Sequence, residues 1–283
     1  MTIAVGILTG SGAVIAADTE ETYGGYVKVE AQKLDLHHVW EKGQPRSLVM
    51  GGSGSAGYIE SLSQALWNTF DHEAGTMNQA RLEAKWSDQI GRFYKKHVIP
   101  FGEAWAENHQ LEVDLILAYY LNSRPRLLST YKTTITAHDH FVAVGAGSAY
   151  AISLLNKLHT WDLSLGAATR LAAWAVYRTK TFVPSCGKGT QIFTIGPLEV
   201  EEIRENQVRE WELWFEQLAA FENQIIRYGL GAELDADGSI GKKFSVSART
   251  LHLKFMESAY ALLHTGDTPK AAPKKAATPR ARR

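Results

Sequence analysis

The chain has 283 residues, 45% of them hydrophobic, and its 30 basic side chains balance 30 acidic ones. The apolar fraction is ample for one large domain or two small ones, and the balanced charge gives no electrostatic case for a nucleic-acid partner. The single cysteine, Cys186, rules out an internal disulfide and suits a reducing compartment. With no basic leader and no apolar run long enough to span a bilayer, the expected location is cytoplasmic, away from membranes.

Taken in order, residues 2–8 and 13–18 read as two strands joined by the turn signal Thr9-Gly10-Ser11-Gly12. A three-residue loop would set Thr2 opposite Asp18, with Ile3, Val5 and Ile7 sharing the other face with Ala17, Ile15 and Ala13. A two-residue loop would put Thr2 and Asp18 on opposite faces. Residues 37–46, with His37 and His38, read as a turn before a strand at 47–50. A glycine-rich stretch, 51–57, leads into a helix over 58–70 with Ile59, Leu62, Leu66 and Phe70 on one side. A second helix is predicted from about 78 to 98, ending near Pro100. Residues 111–121 are strand-like, 122–125 a turn, and 126–136 a returning strand rich in Thr and Tyr. Another strand at 141–144 passes through Gly145-Ala146-Gly147 into a helix ending at Leu158. Ser164 is placed to cap a helix to Tyr177, and 190–195 reads as a strand.

Twice, then, a strand passes through a glycine-rich turn into paired helices. That order predicts an α+β fold of two packed sheets with helices outside, a four-layer αββα sandwich over residues 1–197. Residues 198–265 read as a helical extension. Its first helix, 199–228, carries Trp211, Trp214, Phe215, Leu218 and Phe221 on an apolar stripe that packs on this domain or on a neighbouring subunit. A loop is expected over 229–241 and a last helix over 245–263. Residues 266–283, rich in Pro, Ala and basic side chains, read as a disordered tail.

The opening segment, with Thr2-Ile3-Ala4-Val5-Gly6-Ile7, Asp18-Thr19, Thr22-Tyr23-Gly24-Gly25 and Gln32-Lys33-Leu34, resembles a proteasome β-type subunit, and equally the bacterial proteasome-like peptidase. The likeness continues at Met50-Gly51-Gly52-Ser53-Gly54 and at Val144-Gly145-Ala146-Gly147, covering roughly the first two-thirds of the chain. It implies the same four-layer N-terminal-nucleophile hydrolase fold and a threonine-type peptidase built as a ring of identical subunits. Peptides or unfolded proteins would be the substrate, delivered by an ATP-dependent unfoldase, with no metal or other cofactor.

The chemistry fits that expectation. Removal of Met1 would leave Thr2 with a hydroxyl and a free α-amine, whose ordinary pKa of about 8 suits a general base. Lys33 would favour the alkoxide, Asp18 would hold the Lys33 ammonium, and the Gly51 N–H would face the developing oxyanion. Two departures stand out. The resemblance implies a serine where Ala146 stands, and an Asp beside Ser185 that is absent from residues 182–189. Such losses are compatible with a non-catalytic, proteasome-like structural subunit; a small-molecule amidase is a third reading.

Other motifs carry less. Residues 52–57 fit G-x-G-x-x-G, but the acid that should end a second parallel strand about twenty residues on falls in predicted helix. His138-Asp139-His140 is expected to be an exposed turn rather than a metal site. Cys186 lacks a nearby histidine in sequence and reads as a buried, inert thiol.

Overall fold

A computed structural model describes residues 2–23, 26–41, 44–73, 78–101, 113–122, 124–197 and 199–229. The strands β1 (Ala4–Thr9) and β2 (Gly12–Asp18) form an antiparallel hairpin with Thr9 opposite Gly12 and Ala4 opposite Ala17. The loop is therefore two residues, Gly10 and Ser11, and the three-residue register is corrected. Thr9 is the reason: its hydroxyl donates to the Gly12 carbonyl at 3.0 Å and accepts the Gly12 N–H at 3.1 Å, closing the shorter turn. Asp18 then lies across from Ile3, its N–H donating to the Ile3 carbonyl at 3.1 Å.

This hairpin sits inside a five-stranded sheet ordered β10 (Phe141–Val144), β1, β2, β11 (Thr190–Ile195), β12 (Val200–Glu202). The second five-stranded sheet runs β5 (Leu34–Glu41), β6 (Gln44–Gly54), β7 (Val113–Leu121), β8 (Arg124–Tyr131), β9 (Thr134–His138), every pairing antiparallel. A separate ribbon, β3 (Glu20–Tyr23) with β4 (Val27–Glu30), leads from one sheet to the other.

Between the sheets, Ala4, Ala13, Ile15 and Ala17 pack against Val49, Ile116, Ala118 and Leu127. On the outer face of the first sheet, Ile3, Val5, Ile7, Val14 and Ala16 meet α3 (Ser148–Leu158) and α4 (Leu165–Phe182). On the outer face of the second, Leu48, Met50, Leu117 and Tyr119 meet α1 (Ala56–Glu73) and α2 (Gln79–His97) around Phe70 and Trp86. Both faces of β1 and β2 are thus covered, so these strands read as continuous apolar runs rather than alternating ones. The four-layer αββα sandwich is the observed architecture.

Several local expectations change. His37 and His38 lie in β5, not in a turn, with His38 Nδ1 2.8 Å from Ser47 Oγ across the ladder. The returning segment is two strands, because Lys132 takes the left-handed conformation (φ 52°) and reverses the chain between β8 and β9. His138 ends β9 with Nε2 2.8 Å from Ser129 Oγ, which corrects its reading as an exposed turn residue. The helix expected from residue 199 is preceded by β12 and starts at Glu205, as α5 (Glu205–Gly229). The caps behave as expected: Asn78 accepts from the Arg81 N–H and Ser164 from the Ala167 N–H.

The chain divides into two compact units, Met1–Phe215 and Glu216–Arg283. Within the first, Val208 and Phe215 of α5 are buried in the cluster that contains α4. The expected loop beyond 229, the last helix and the basic tail lie outside the described residues.

Candidate active site

Thr2, just before β1, and Lys33 and Asp35, at the start of β5, line a cleft of about 1250 Å³, and Asp18 at the end of β2 is bonded to Lys33 behind it. Thr2 lines it while being only 6% exposed. Asp18, wholly buried at the end of β2, accepts three donors. Its Oδ1 takes the Lys33 ammonium at 2.8 Å and the Ile3 N–H at 3.0 Å, and its Oδ2 takes the Gly187 N–H at 2.9 Å. Asp18 is therefore joined to the nucleophile candidate through the peptide group that follows Thr2, not by facing Thr2 across the hairpin. A carboxylate so deeply enclosed needs its counter-charge and donors, and here it has both.

Lys33 precedes the first residue of β5, and its side chain is 9% exposed beside Asp18. What holds its backbone is Gln191 of β11. The Gln191 carboxamide oxygen accepts the Lys33 and Leu34 N–H groups at 3.2 and 3.0 Å, and its nitrogen donates to the Leu34 carbonyl at 3.2 Å.

Gly51 sits one residue back from the cleft wall, which Gly52, Ser53 and Gly54 form. It pairs with Leu34 on one side and Ile116 on the other, and a side chain there would collide with Leu34. The Leu34–Gly51 pair is the last rung between β5 and β6; beyond it β6 is paired only with β7. A strand edge thus opens at the glycine-rich stretch.

Gly145 closes the floor of the site. It has φ +94°, and a Cβ there would strike the Thr2 carbonyl oxygen and approach Ser53 Oγ, so both backbone conformation and space require glycine. The turn that lacks the expected Asp instead contributes the Gly187 N–H to Asp18. Beside it, Cys186 lies against Gly147 and is buried; burial, reinforced by the Asp18 charge, pushes its thiol up to about 11. Gln191, Gly145 and Gly187 were not legible as site residues, because each acts through a neighbour distant in sequence. For Gly145 the strand-to-helix turn Gly145-Ala146-Gly147 was the one hint available. Among the described residues no three His, Cys, Asp or Glu side chains gather as a metal site.

Residues 2–195 match the family model described as Proteasome subunit. Among curated proteins the chain is similar to proteasome subunit beta 1 of Thermococcus kodakarensis, 24% identical over 218 residues, or 74% of this chain and 92% of that one. Proteasome subunit beta 2 of Thermofilum pendens is 23% identical over 195 residues, 68% of this chain and 87% of that one. Among solved structures, Anbu (ancestral beta-subunit) from Yersinia bercovieri superposes with a TM-score of 0.61 at 15% identity, covering 78% of this chain and 97% of that one. The Anbu complex of Pseudomonas aeruginosa, solved as a helical assembly, gives 0.64 at 17% identity, covering 80% and 96%. The shared element is the proteasome-like N-terminal-nucleophile hydrolase fold.

Proposed function

Because the chain belongs to the proteasome subunit family, we propose that it is a threonine-type peptidase whose nucleophile is Thr2 once Met1 has been removed. The observation that carries this reading is the buried Asp18 carboxylate, bonded at once to the Lys33 ammonium and to the peptide N–H adjoining Thr2. In this reading Thr2 Oγ attacks the scissile carbonyl carbon while the freed α-amine takes the hydroxyl proton. The Lys33 charge lowers the cost of the alkoxide; Gly51, paired on both sides in the ladder, leaves the oxyanion to a backbone N–H of the cleft-lining stretch Gly52-Ser53-Gly54. The proton passes to the departing amine, leaving an ester on Thr2. A water molecule activated by the same α-amine then hydrolyses that ester and restores the hydroxyl. The open edge of β6 suits an extended peptide, which would add to it as a strand.

The substrate is a peptide or an unfolded protein, and no metal or other cofactor enters the scheme. Self-assembly of identical subunits is supported by the assembled state of the similar Anbu complex, and an ATP-dependent unfoldase is a compatible partner. No described helix is long and apolar enough to cross a membrane; the reading is of a cytoplasmic enzyme.

Ala146, which brings no hydroxyl to the glycine-rich turn, favours one second reading: a structural subunit without peptidase activity. Intact mass before and after treatment with a peptide epoxyketone, which closes onto the hydroxyl and amine of an N-terminal threonine, separates the two. The peptidase reading expects loss of Met1 and a single adduct, absent in Thr2→Ala. Loss of Met1 without an adduct would favour the structural subunit or an amidase.

A further inference from the structure

The cleft beside Thr2 has a charge pattern that the proposed chemistry does not use. On α1, Glu60 and Trp67 are seven residues apart and so project from the same face of the helix, and both line the cleft. Asp35 reaches the same cleft from β5, two residues beyond Lys33, and Glu21 from β3. The Lys33 ammonium is engaged by Asp18 at 2.8 Å. The cleft wall is thus acidic apart from Lys33. The Asp35 carboxyl is raised above its ordinary value by partial desolvation at the cleft and by the Glu60 charge. Trp67, stacked on His37 with ring centroids 5.8 Å apart, adds an aromatic surface to the same wall.

Such an arrangement is relieved by a cation. A guanidinium suits it better than an ammonium, since its planar fork can bridge two carboxylates and its flat face can lie on an indole. We infer that this cleft selects peptides by a basic side chain, arginine before lysine, whose cationic end is held between Asp35 and Glu60 along Trp67. The inference rests on the reading of the cleft as a peptide-binding site and names the substrate class it takes.

Binding to the full-length Thr2→Ala protein tests it without requiring turnover. A fluorescein-labelled peptide with one arginine is compared by anisotropy with the same peptide carrying citrulline, which keeps the shape and removes the charge. At low salt the arginine peptide should bind roughly fivefold to tenfold tighter. That advantage should shrink to about twofold in about 0.5 M salt and in the Asp35→Asn, Glu60→Gln double variant. Equal binding of the two peptides, an arginine advantage indifferent to the double substitution, or no binding of either peptide would overturn the inference. The epoxyketone experiment reports separately: arginine discrimination without a Thr2 adduct keeps the acidic wall and sinks the peptidase, and the reverse result does the opposite.

Discussion

At the scale of single residues the site turns on one ion pair and the groups that enclose it. In Asp18→Asn the Lys33 ammonium loses its charge partner, and a side-chain amide N–H would face the Gly187 N–H that Oδ2 now accepts. A loss of about 3 kcal/mol in unfolding free energy is expected from urea titration. Lys33→Met leaves the wholly buried Asp18 carboxylate with its two backbone donors but no counter-charge, so a comparable loss of about 3 kcal/mol is expected. In the peptidase reading, hydrolysis should also drop by about a hundredfold to a thousandfold, read as kcat on a fluorogenic peptide. Cys186 adds a pH dependence of defined sign. Its folded pKa of about 11 stands above the 9.0 of a free thiol, so the folded state holds the proton longer than the unfolded one. Stability from this group is intact below pH 9 and is lost as pH rises through 11, by on the order of 2 kcal/mol. Comparing unfolding midpoints on either side of that window, the wild type should fall further than Cys186→Ala.

Among the elements, α5 offers the clearest case of a segment that the first compact unit depends on. Val208 and Phe215 enter the cluster beneath α4, and Glu212 accepts the Lys180 ammonium at 2.6 Å and the Thr190 hydroxyl at 2.7 Å. Phe215→Ala should cost about 3–4 kcal/mol, seen as a lowered midpoint in thermal unfolding, because the ring is 4% exposed and leaves a cavity. The amphipathic stripe made this helix visible in the sequence, as periodicity made α1, α2 and α4 visible. The hairpin strands were harder. Residues 37–46 carry two histidines, a glycine and a proline, all turn-like by composition, yet β5 and β6 stay paired from Leu34–Gly51 out to Glu41–Gln44. The β1–β2 register depended on a threonine hydroxyl replacing a loop residue, which no hydrophobic pattern encodes. Thr2, Asp18 and Lys33 were legible because chemistry restricts their residue types and the motifs around them are short and ordered. Gln191 was not, since a glutamine in a strand carries no signal until its partner, 158 residues away, is placed beside it.

For the whole molecule, that glutamine is the feature with the widest reach. A carboxamide sets an acceptor oxygen beside a donor nitrogen, as a peptide group does, and Gln191 uses both on Lys33 and Leu34. Gln191→Glu keeps the acceptor but loses the N–H that reaches the Leu34 carbonyl. Activity should fall more than tenfold and the unfolding midpoint should drop with it, because the new carboxylate is buried against the Leu34 carbonyl and beside Glu202, which the Gln191 nitrogen also reaches. The side chain belongs to one sheet and the backbone it grips belongs to the other, so it acts as a clutch between two plates. While the plates are engaged, the ammonium stays on Asp18; any load that makes one plate slip over the other withdraws it. A force applied to the outer helices, far from Thr2, would then be felt as a change in rate before any strand came apart.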